Sequence, residues 1–498
     1  MDKTGACPFL SVQSIERAAH QITDLISTPE ADPLITPSKI TPILSAYVAT
    51  ALTLPLPEEV VVQAKQHILD TFAAMISGSR LKPGEVIRRY VKSEGGPPVA
   101  QVIGSSLLSS ATLAALANGT SAHADETDDS HAASGTHPGC SVVPAALAMG
   151  EQMGSSGKAF LQAVVVGYDV GCRVGRALNP LSLSATGHSS RSLGNTFGAC
   201  AAAAVLARLD AQQVGWALAY SAQQAAGIGS YIRAKEHIEK AFVLGGMPAR
   251  NGVTAVNLAQ VGAGGAADPF HGERNFLHAY SPDPRPEELV RGLGENFEIA
   301  QTSIKKYCVG SPIQAPLEAL FEMVAEHKLR ADDIERLIVR LPEHRAATVN
   351  NREMPDVNLQ HILALALVHG EVSFAMAHAD KTAGDVSIAA LKSRIELVAD
   401  PELLESVSPR QVRLEVLTRD GRRLAKYLST YRGTPENPLS TQEVEDKARD
   451  LTSSVIGNRK SEEFIQCIRE LDRVGDMREL RPKFVVIEQD SSLSEQGG

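Results

Sequence analysis

The sequence predicts a mainly α protein: a large multihelical body built from both chain ends, with a smaller α+β part inserted between them. Three observations lead there. Apolar residues recur at helical spacing from Ile40 to about Ala267 and again after Pro438, whereas strand-like alternation is confined to the stretch between. Aromatic residues make up 4% of the chain, with Trp216 the single tryptophan, so Ala, Val, Leu and Ile must fill the core and their small members let helices approach closely. A length of 498 residues exceeds one ordinary core, which favours two parts.

Residues 1–38 read as an N-terminal extension, with a short helix from Ser14 to Ser27 and a Pro-rich linker from Pro29 to Pro37. Residues 39–268 form the first part of the helical body. Its clearest helix is Glu58 to Ser77, where Val61, Ala64, Ile68, Phe72 and Met75 make an apolar stripe and Gly78 is a stop. Further helices are predicted at 84–93, 109–117, 144–153, 158–177, 195–208, 211–226 and 248–261. The turn-rich run Asp268-Pro-Phe-His-Gly-Glu-Arg-Asn opens an α+β part spanning 269–436. There Ile334–Leu341 and Gln411–Leu417 alternate as strands, Asp420-Gly421 links the second to Arg422–Tyr431 as a hairpin, and helices are expected at 312–326 and 359–378. Residues 437–480 return to helix, at 441–450 and 460–472, and 481–498 read as a flexible tail.

The formal charge of −10 and pI near 5.8 argue against nucleic acid or an anionic membrane as partner, but leave room for an anionic small molecule in a locally basic pocket. Cys7, Cys140, Cys172, Cys200, Cys308 and Cys467 lie far apart without a CxxC pair, as reduced thiols of a cytoplasmic protein do. No apolar run reaches the roughly 18 residues of a membrane span, and the N-terminus lacks the basic and apolar regions of a signal peptide.

The stretch with most chemistry is His123 to His137, where three histidines and four carboxylates fall in fifteen residues between two apolar helices, the second able to start at Pro144. A bland acidic surface loop needs neither three imidazoles nor apolar flanks; polar clusters on loops held by a rigid scaffold are where catalysis concentrates. The loop has no His-x-x-x-His pair and no Glu-x-x-His repeat, so no metal is expected, although His and carboxylate together suit one. Asp128 and Asp129 can instead bond loop amides and orient a histidine to serve as acid or base. Downstream, His188 sits among Ser and Gly before a helix, a setting that suits an anion. Two basic segments follow, one with Lys240 and Arg250 beside glycines and one with Lys305 and Lys306 before Gly-Ser-Pro-Ile-Gln314. No GxxxxGK[ST] loop, no GxGxxG after a strand and no GxSxG elbow is present.

Taken in order, these segments are Leu-Asp-Thr (Leu69–Thr71), the His-x-x-Glu-x-Asp-Asp-Ser-His loop with a later His-Pro, Gly-His before an Ala-rich helix, Lys with a downstream Ala-Arg-Asn-Gly, and Ile-Lys-Lys-Tyr with Gly-Ser-Pro-Ile-Gln-Ala. Over roughly residues 40 to 475 this resembles the MmgE/PrpD family of 2-methylcitrate dehydratases and cis-aconitate decarboxylases, which also includes an iminodisuccinate epimerase. The resemblance implies a helical domain made from both chain ends, an α+β lid, a homodimer, a pocket between the domains, and chemistry on polycarboxylates without a cofactor. By position it assigns the loop acid to Glu126, the Asp pair to Asp128 and Asp129, the loop hydroxyl to Ser130, the two histidines to His137 and His188, and the lid lysine to Lys305. Three departures stand out. Glu126 and Ser130 replace Asp and Thr, the family's first pocket lysine aligns with Ala241 so that Lys240 is one residue out of register, and Gln314 stands where a histidine is often found.

The expected function is a lyase that removes a proton next to a carboxylate, or carbon dioxide from one, with His188 and His137 as acid and base. Lys305, with Lys240 or Arg250, meets the developing charge, and Asp128 orients the histidines. Glu126, Asp129, Ser130, Lys306 and Gln314 complete the expected substrate contacts. Rival readings are an epimerase of a carboxylate, a metal-dependent hydrolase using the His/Asp loop, and a metabolite-binding homologue without activity.

Overall fold

The computed structural model describes residues 39–378, 385–404, 408 and 410–486. The expected extension 1–38, with Cys7 and the Ser14–Ser27 helix, and residues 487–498 of the expected tail lie outside these. Helix accounts for 61% and strand for 9%, which settles the class as mainly α.

The described residues form two apolar cores. The first draws on Ile40 through Cys308 and again on Leu439 through Val486; the second runs from Val309 to Tyr431. The helical body is thus built from both sides of the inserted part. Two boundaries differ from the sequence expectation. Residues 269–304, expected in the α+β part, pack on the first core, because short turns carry Phe270, Phe276, Leu277 and Leu289 onto it; Phe197 meets the rings of Phe270 at 5.4 Å and Phe276 at 4.8 Å. At the other end the body continues past residue 480 as Arg481–Phe484, whose Phe484 is fully buried against Phe72.

Caps and small residues shape the body. Ser110, Ser156 and Asp210 start their helices by accepting the backbone N–H three residues on. The helix after the His/Asp loop begins at Gly139, five residues before the expected Pro144, which sits inside it. At the centre, Gly157–Ala177 crosses Ser190–Leu206 with backbones nearly touching: a Cβ on Gly171 would stand 3.0 Å from Gly198 Cα and 3.2 Å from Gly194 O. The same glycine face ends at the loop, where a Cβ on Gly175 would meet Ser134 at 2.8 Å and Thr136 at 3.0 Å.

A short hairpin of β1 (Ala100–Gln101) and β2 (Leu108–Ser109) edges the body. The inserted part carries β3 (Ile334–Leu341), β4 (Ile395–Ala399), β5 (Val412–Thr418) and β6 (Arg423–Leu428) in the order β4-β3-β5-β6. β3 runs parallel to β4 and antiparallel to β5, and the Asp420-Gly421 hairpin joins β5 to β6 as expected. One face buries Leu337, Val339, Leu341, Val412, Leu414 and Val416 with apolar residues of the helices Ser311–His327 and Leu359–His369. The expected helix 359–378 stops at His369, where Gly370 takes a left-handed conformation (φ 76°), and resumes as Phe374–Ala377. Among the described residues no single helix is long and apolar enough to cross a membrane.

Close glycine contact between the two central helices makes overpacking there costly. Gly171→Val should lower stability by about 2–3 kcal/mol, read as a lower Tm, with Gly171→Ala in between; an unchanged Tm for both would contradict this packing.

Candidate functional site

The His123–His137 loop lies between the helices Ala111–Ala122 and Gly139–Met153, but it is not a surface loop: His123, Asp125, Glu126, Asp128, Asp129, His131 and His137 are all buried. Each carboxylate has a partner drawn from elsewhere in the chain.

Asp129 is the anchor. One oxygen accepts from His67 Nδ1 at 2.9 Å and the Tyr168 hydroxyl at 2.5 Å, and the other accepts the Gly139 N–H at 3.0 Å. Its expected role as a substrate contact gives way to holding the loop, because both oxygens are engaged and the carboxylate is fully buried. Asp128 is the electrostatic centre. Its Oδ2 meets His123 Nδ1 at 2.7 Å and His137 Nδ1 at 3.5 Å, and its Oδ1 lies 3.5 Å from Lys305 Nζ. Burial works to raise its pKa, yet His123, His137 and Lys305 outweigh burial and hold it well below the usual carboxylate range. Burial in turn pushes His123 down to about 3, so its imidazole is neutral and donates through Nδ1 to Asp128.

His137 is oriented by its neighbours. Its Nδ1–H donates to the Asp129 carbonyl at 2.7 Å, which leaves Nε2 as the ring nitrogen without a bond among the described residues, and its ring stands edge-on to His123 at 5.1 Å. At 8% exposure it is the most open of the loop's histidines and carboxylates. Asn195, on the central helix Ser190–Leu206, donates to the His137 carbonyl and to the Leu244 carbonyl, both at 2.9 Å.

Leu244 belongs to a π turn, Phe242–Gly246, between the helices His237–Ala241 and Met247–Gln260. A π turn adds one residue to a helix, and such insertions cluster at functional sites. Here the extra residue offsets the register of Lys240 relative to Ala249-Arg250-Asn251-Gly252, and Lys240 pairs with Glu126 Oε1. Burial holds the Lys240 ammonium down to about 7, with Lys305 and Arg352 pushing the same way and Asp356 and Asp125 opposing. Lys305, fully buried, donates to the Glu126 carbonyl at 2.8 Å and lies 3.5 Å from its carboxylate. Both lysines therefore converge on Glu126.

The remaining expected residues are placed differently. Ser130 exchanges backbone hydrogen bonds with Ser303 (3.0 and 2.9 Å), which ties the loop to the segment before Lys305. His188 is half-buried, edge-on to Tyr280 at 5.1 Å; two residues on, Ser190 Oγ lies 3.2 Å from where a Cβ on Gly135 of the loop would be. Arg250 bonds its neighbour Asn251 and lies over the Phe242 ring, and Lys306 is exposed over Tyr307, so neither makes the expected contact at the loop. Gln314 spends its amide on the Tyr307 N–H and on the Tyr307 and Val309 carbonyls, bracing the turn after Lys305 instead of facing a substrate.

Several residues had no distinguishing signal in the sequence. Lys447, in the C-terminal helix Thr441–Ile456, donates to the Thr127 carbonyl at 3.0 Å and pairs with Asp70 at 2.5 Å, linking both chain ends to the loop. His378 lies 3.2 Å from Asp125, and His237 lies 2.9 Å from Asp356. For a metal, His123, Asp128 and Cys140 offer ligand atoms within 4.8 Å of one another. The set fits an ion poorly: His123 already bonds Asp128, the lysine ammonium beside Asp128 competes with a cation, and burial raises the Cys140 thiol far above the range where it ionises.

The His378–Asp125 pair carries a pH signature. Burial disfavours the His378 imidazolium, but Asp125 outweighs it and raises the pKa from 6.5 to about 9. A raised folded-state pKa stabilises fully below the unfolded value and is lost as pH climbs through the folded one. The stability gap between wild type and His378→Gln should therefore be largest below about pH 6.5, at most roughly 3 kcal/mol, and shrink through about pH 9. Urea denaturation across that range tests this, and a gap that widens with pH would contradict it.

Comparison with known proteins agrees with this architecture. The MmgE/PrpD N-terminal domain matches residues 43–289 and the MmgE/PrpD C-terminal domain matches 307–473, which leaves the join at 290–306. The chain is 26% identical to "Cis-aconitate decarboxylase-like protein oryM" of Aspergillus oryzae, over 92% of this chain and 98% of that protein. It is 25% identical to a cis-aconitate decarboxylase of Aspergillus terreus, over 89% and 95%, and 24% identical to the cis-aconitate decarboxylase of Homo sapiens, over 84% and 89%. With both domains matched in order over most of its length, the second match running through the inserted part into the C-terminal return of the helical body, the chain belongs to the MmgE/PrpD family.

Proposed function

We propose that this protein is a lyase that acts on a di- or tricarboxylic acid by carbanion-type chemistry, without a cofactor, and that loss of carbon dioxide from an unsaturated polycarboxylate is its reaction. The observation that carries the reading is the set of His137: Nδ1 fixed on the Asp129 carbonyl at 2.7 Å, Nε2 without a bond among the described residues, and Asp128 and Lys305 alongside. The names of its relatives support decarboxylation over dehydration.

In such a step the carbon–carbon bond to the departing carboxylate breaks and leaves its electron pair on carbon, spread onto a neighbouring carboxylate. Lys305 and Lys240 offset that charge at a site where water is largely excluded. A protonated His137 then delivers the proton to carbon from Nε2, and the Asp128 carboxylate, 3.5 Å from Nδ1, stabilises the imidazolium by its charge. His188 serves as the partner acid or base, and Ser130 and Glu126 contact the substrate. A homodimer in the cytoplasm is part of the same proposal.

Proton NMR in deuterated water with cis-aconitate, citrate and 2-methylcitrate tests the reading. With cis-aconitate, the expected result is loss of one carboxyl group and a new alkene product carrying deuterium, slowed about 100-fold or more in His137→Gln. Deuterium exchange without net reaction would turn the assignment to an epimerase. Full turnover by His137→Gln would remove that residue from the chemistry.

A further inference from the structure

Two imidazole–carboxylate pairs join the helical part to the α+β part, and they run in opposite directions. His237 of the helical part reaches Asp356 of the inserted part, with side-chain exposures of 11% and 4%. His378 of the inserted part reaches Asp125 of the loop, with exposures of 17% and 3%. Each pair brackets one member of the Glu126–Lys240 ion pair. Asp125 directly precedes Glu126, and it also accepts the Thr127 N–H at 2.9 Å and hydroxyl at 2.7 Å, so the peptide carrying Glu126 is wound about this carboxylate. His237 stands three residues before Lys240 on the same short helix, hence on the same face.

The surroundings couple the pairs. His378 also faces Asp356, and its Nδ1 donates to the Phe374 carbonyl at 2.8 Å; His237 also faces Asp125 and is opposed by Lys305. Lys240 faces Glu126, Asp356, Asp125, Lys305 and Arg352. The Asp356 carbonyl accepts the Gly310 N–H at 2.9 Å, which ties this cluster to the turn after Lys305. Phe374, at the start of the turn that bears His378, packs on the helical core, and its N–H donates to Asp450 at 3.0 Å. Both pairs therefore lie at the junction of the inserted part with the helical body.

We propose that His237 with Asp356, and His378 with Asp125, are positioning residues that set Glu126 and Lys240 when the α+β part seats on the helical body. The assignment rests on the reading that the Glu126, Lys240 and Lys305 corner receives a substrate carboxylate. Breaking either pair frees one member of the Glu126–Lys240 pair and leaves a buried carboxylate without its cation.

The test uses the full chain with His237→Gln, His378→Gln and the exchange Asp125→His/His378→Asp. Hydrogen exchange followed by mass spectrometry should show amides of 123–131 and 237–246 exchanging about tenfold faster in the single variants, with 157–177 unchanged and with the exchanged pair restoring protection at the loop. On a carboxylate the wild type consumes, kcat should fall about tenfold with a displaced alkaline limb of the pH profile. A structural staple would lower Tm without moving that limb. Unchanged exchange in both segments, or a kcat profile that keeps its shape, overturns the proposal. If the single variants fail to fold, Asp125→Asn/His378→Gln, which leaves no unpaired charge, carries the same measurements. If the wild type consumes nothing, the reading of function fails, and the exchange measurement still decides the positioning role.

Discussion

The structure depends on one constraint: a carboxylate taken out of water must be met by a cation or by several donors. The loop from Asp125 to Asp129 buries four carboxylates among apolar helices, and the neighbouring His123 and His137 side chains reach only Asp128. Asp129 is served by His67 and Tyr168, Asp128 by His123, His137 and Lys305, Glu126 by Lys240 and Lys305, and Asp125 by His378. These partners come from positions 67 to 378, and Lys447 extends the set to the C-terminal helix through Thr127 and Asp70. Satisfying the loop thus brings the chain ends and the inserted part together.

Helix packing supplies the rigid frame for this charge balance. Glycines on the two central helices bring their backbones into contact and end at Ser134 and Thr136, so the far side of the loop rests on close helix packing. From that frame Asn195 reaches two carbonyls, one of His137 and one of the π turn. A single amide side chain therefore ties the position of the oriented histidine to the turn that sets the register of Lys240.

Much of the fold was legible in the sequence because it is local. The stripe Val61, Ala64, Ile68, Phe72, Met75 and the Asp420-Gly421 hairpin both form as read. β4 went unread because it is a five-residue edge strand only half buried, with little alternation to mark it. The limit of the insertion was misplaced because turn residues after Asp268 look like a boundary, whereas the anchors Phe270 and Phe276 bind that segment to the first core. At the site, the loop and Lys305 were readable as a cluster of functional residue types. Which of them face a substrate was not: Asp129 and Gln314 have the chemistry of ligand contacts and are consumed internally, a fact carried by partners such as Tyr168 and Tyr307 that no spacing rule links to them. His237, His378 and Lys447 escaped for the same reason, since each gains its meaning from a partner more than seventy residues away.

The central claim is that burial and hydrogen bonding have prepared His137, and not His123, to move a proton on a carboxylate substrate. Long-range proton–nitrogen NMR of the histidine rings, with and without cis-aconitate, tests this most directly. The account predicts a neutral His123 throughout and a His137 that is protonated on Nδ1, with its Nε2 resonance displaced as ligand saturates the site. Saturable binding that leaves His137 unmoved, or that displaces His123 instead, would contradict it.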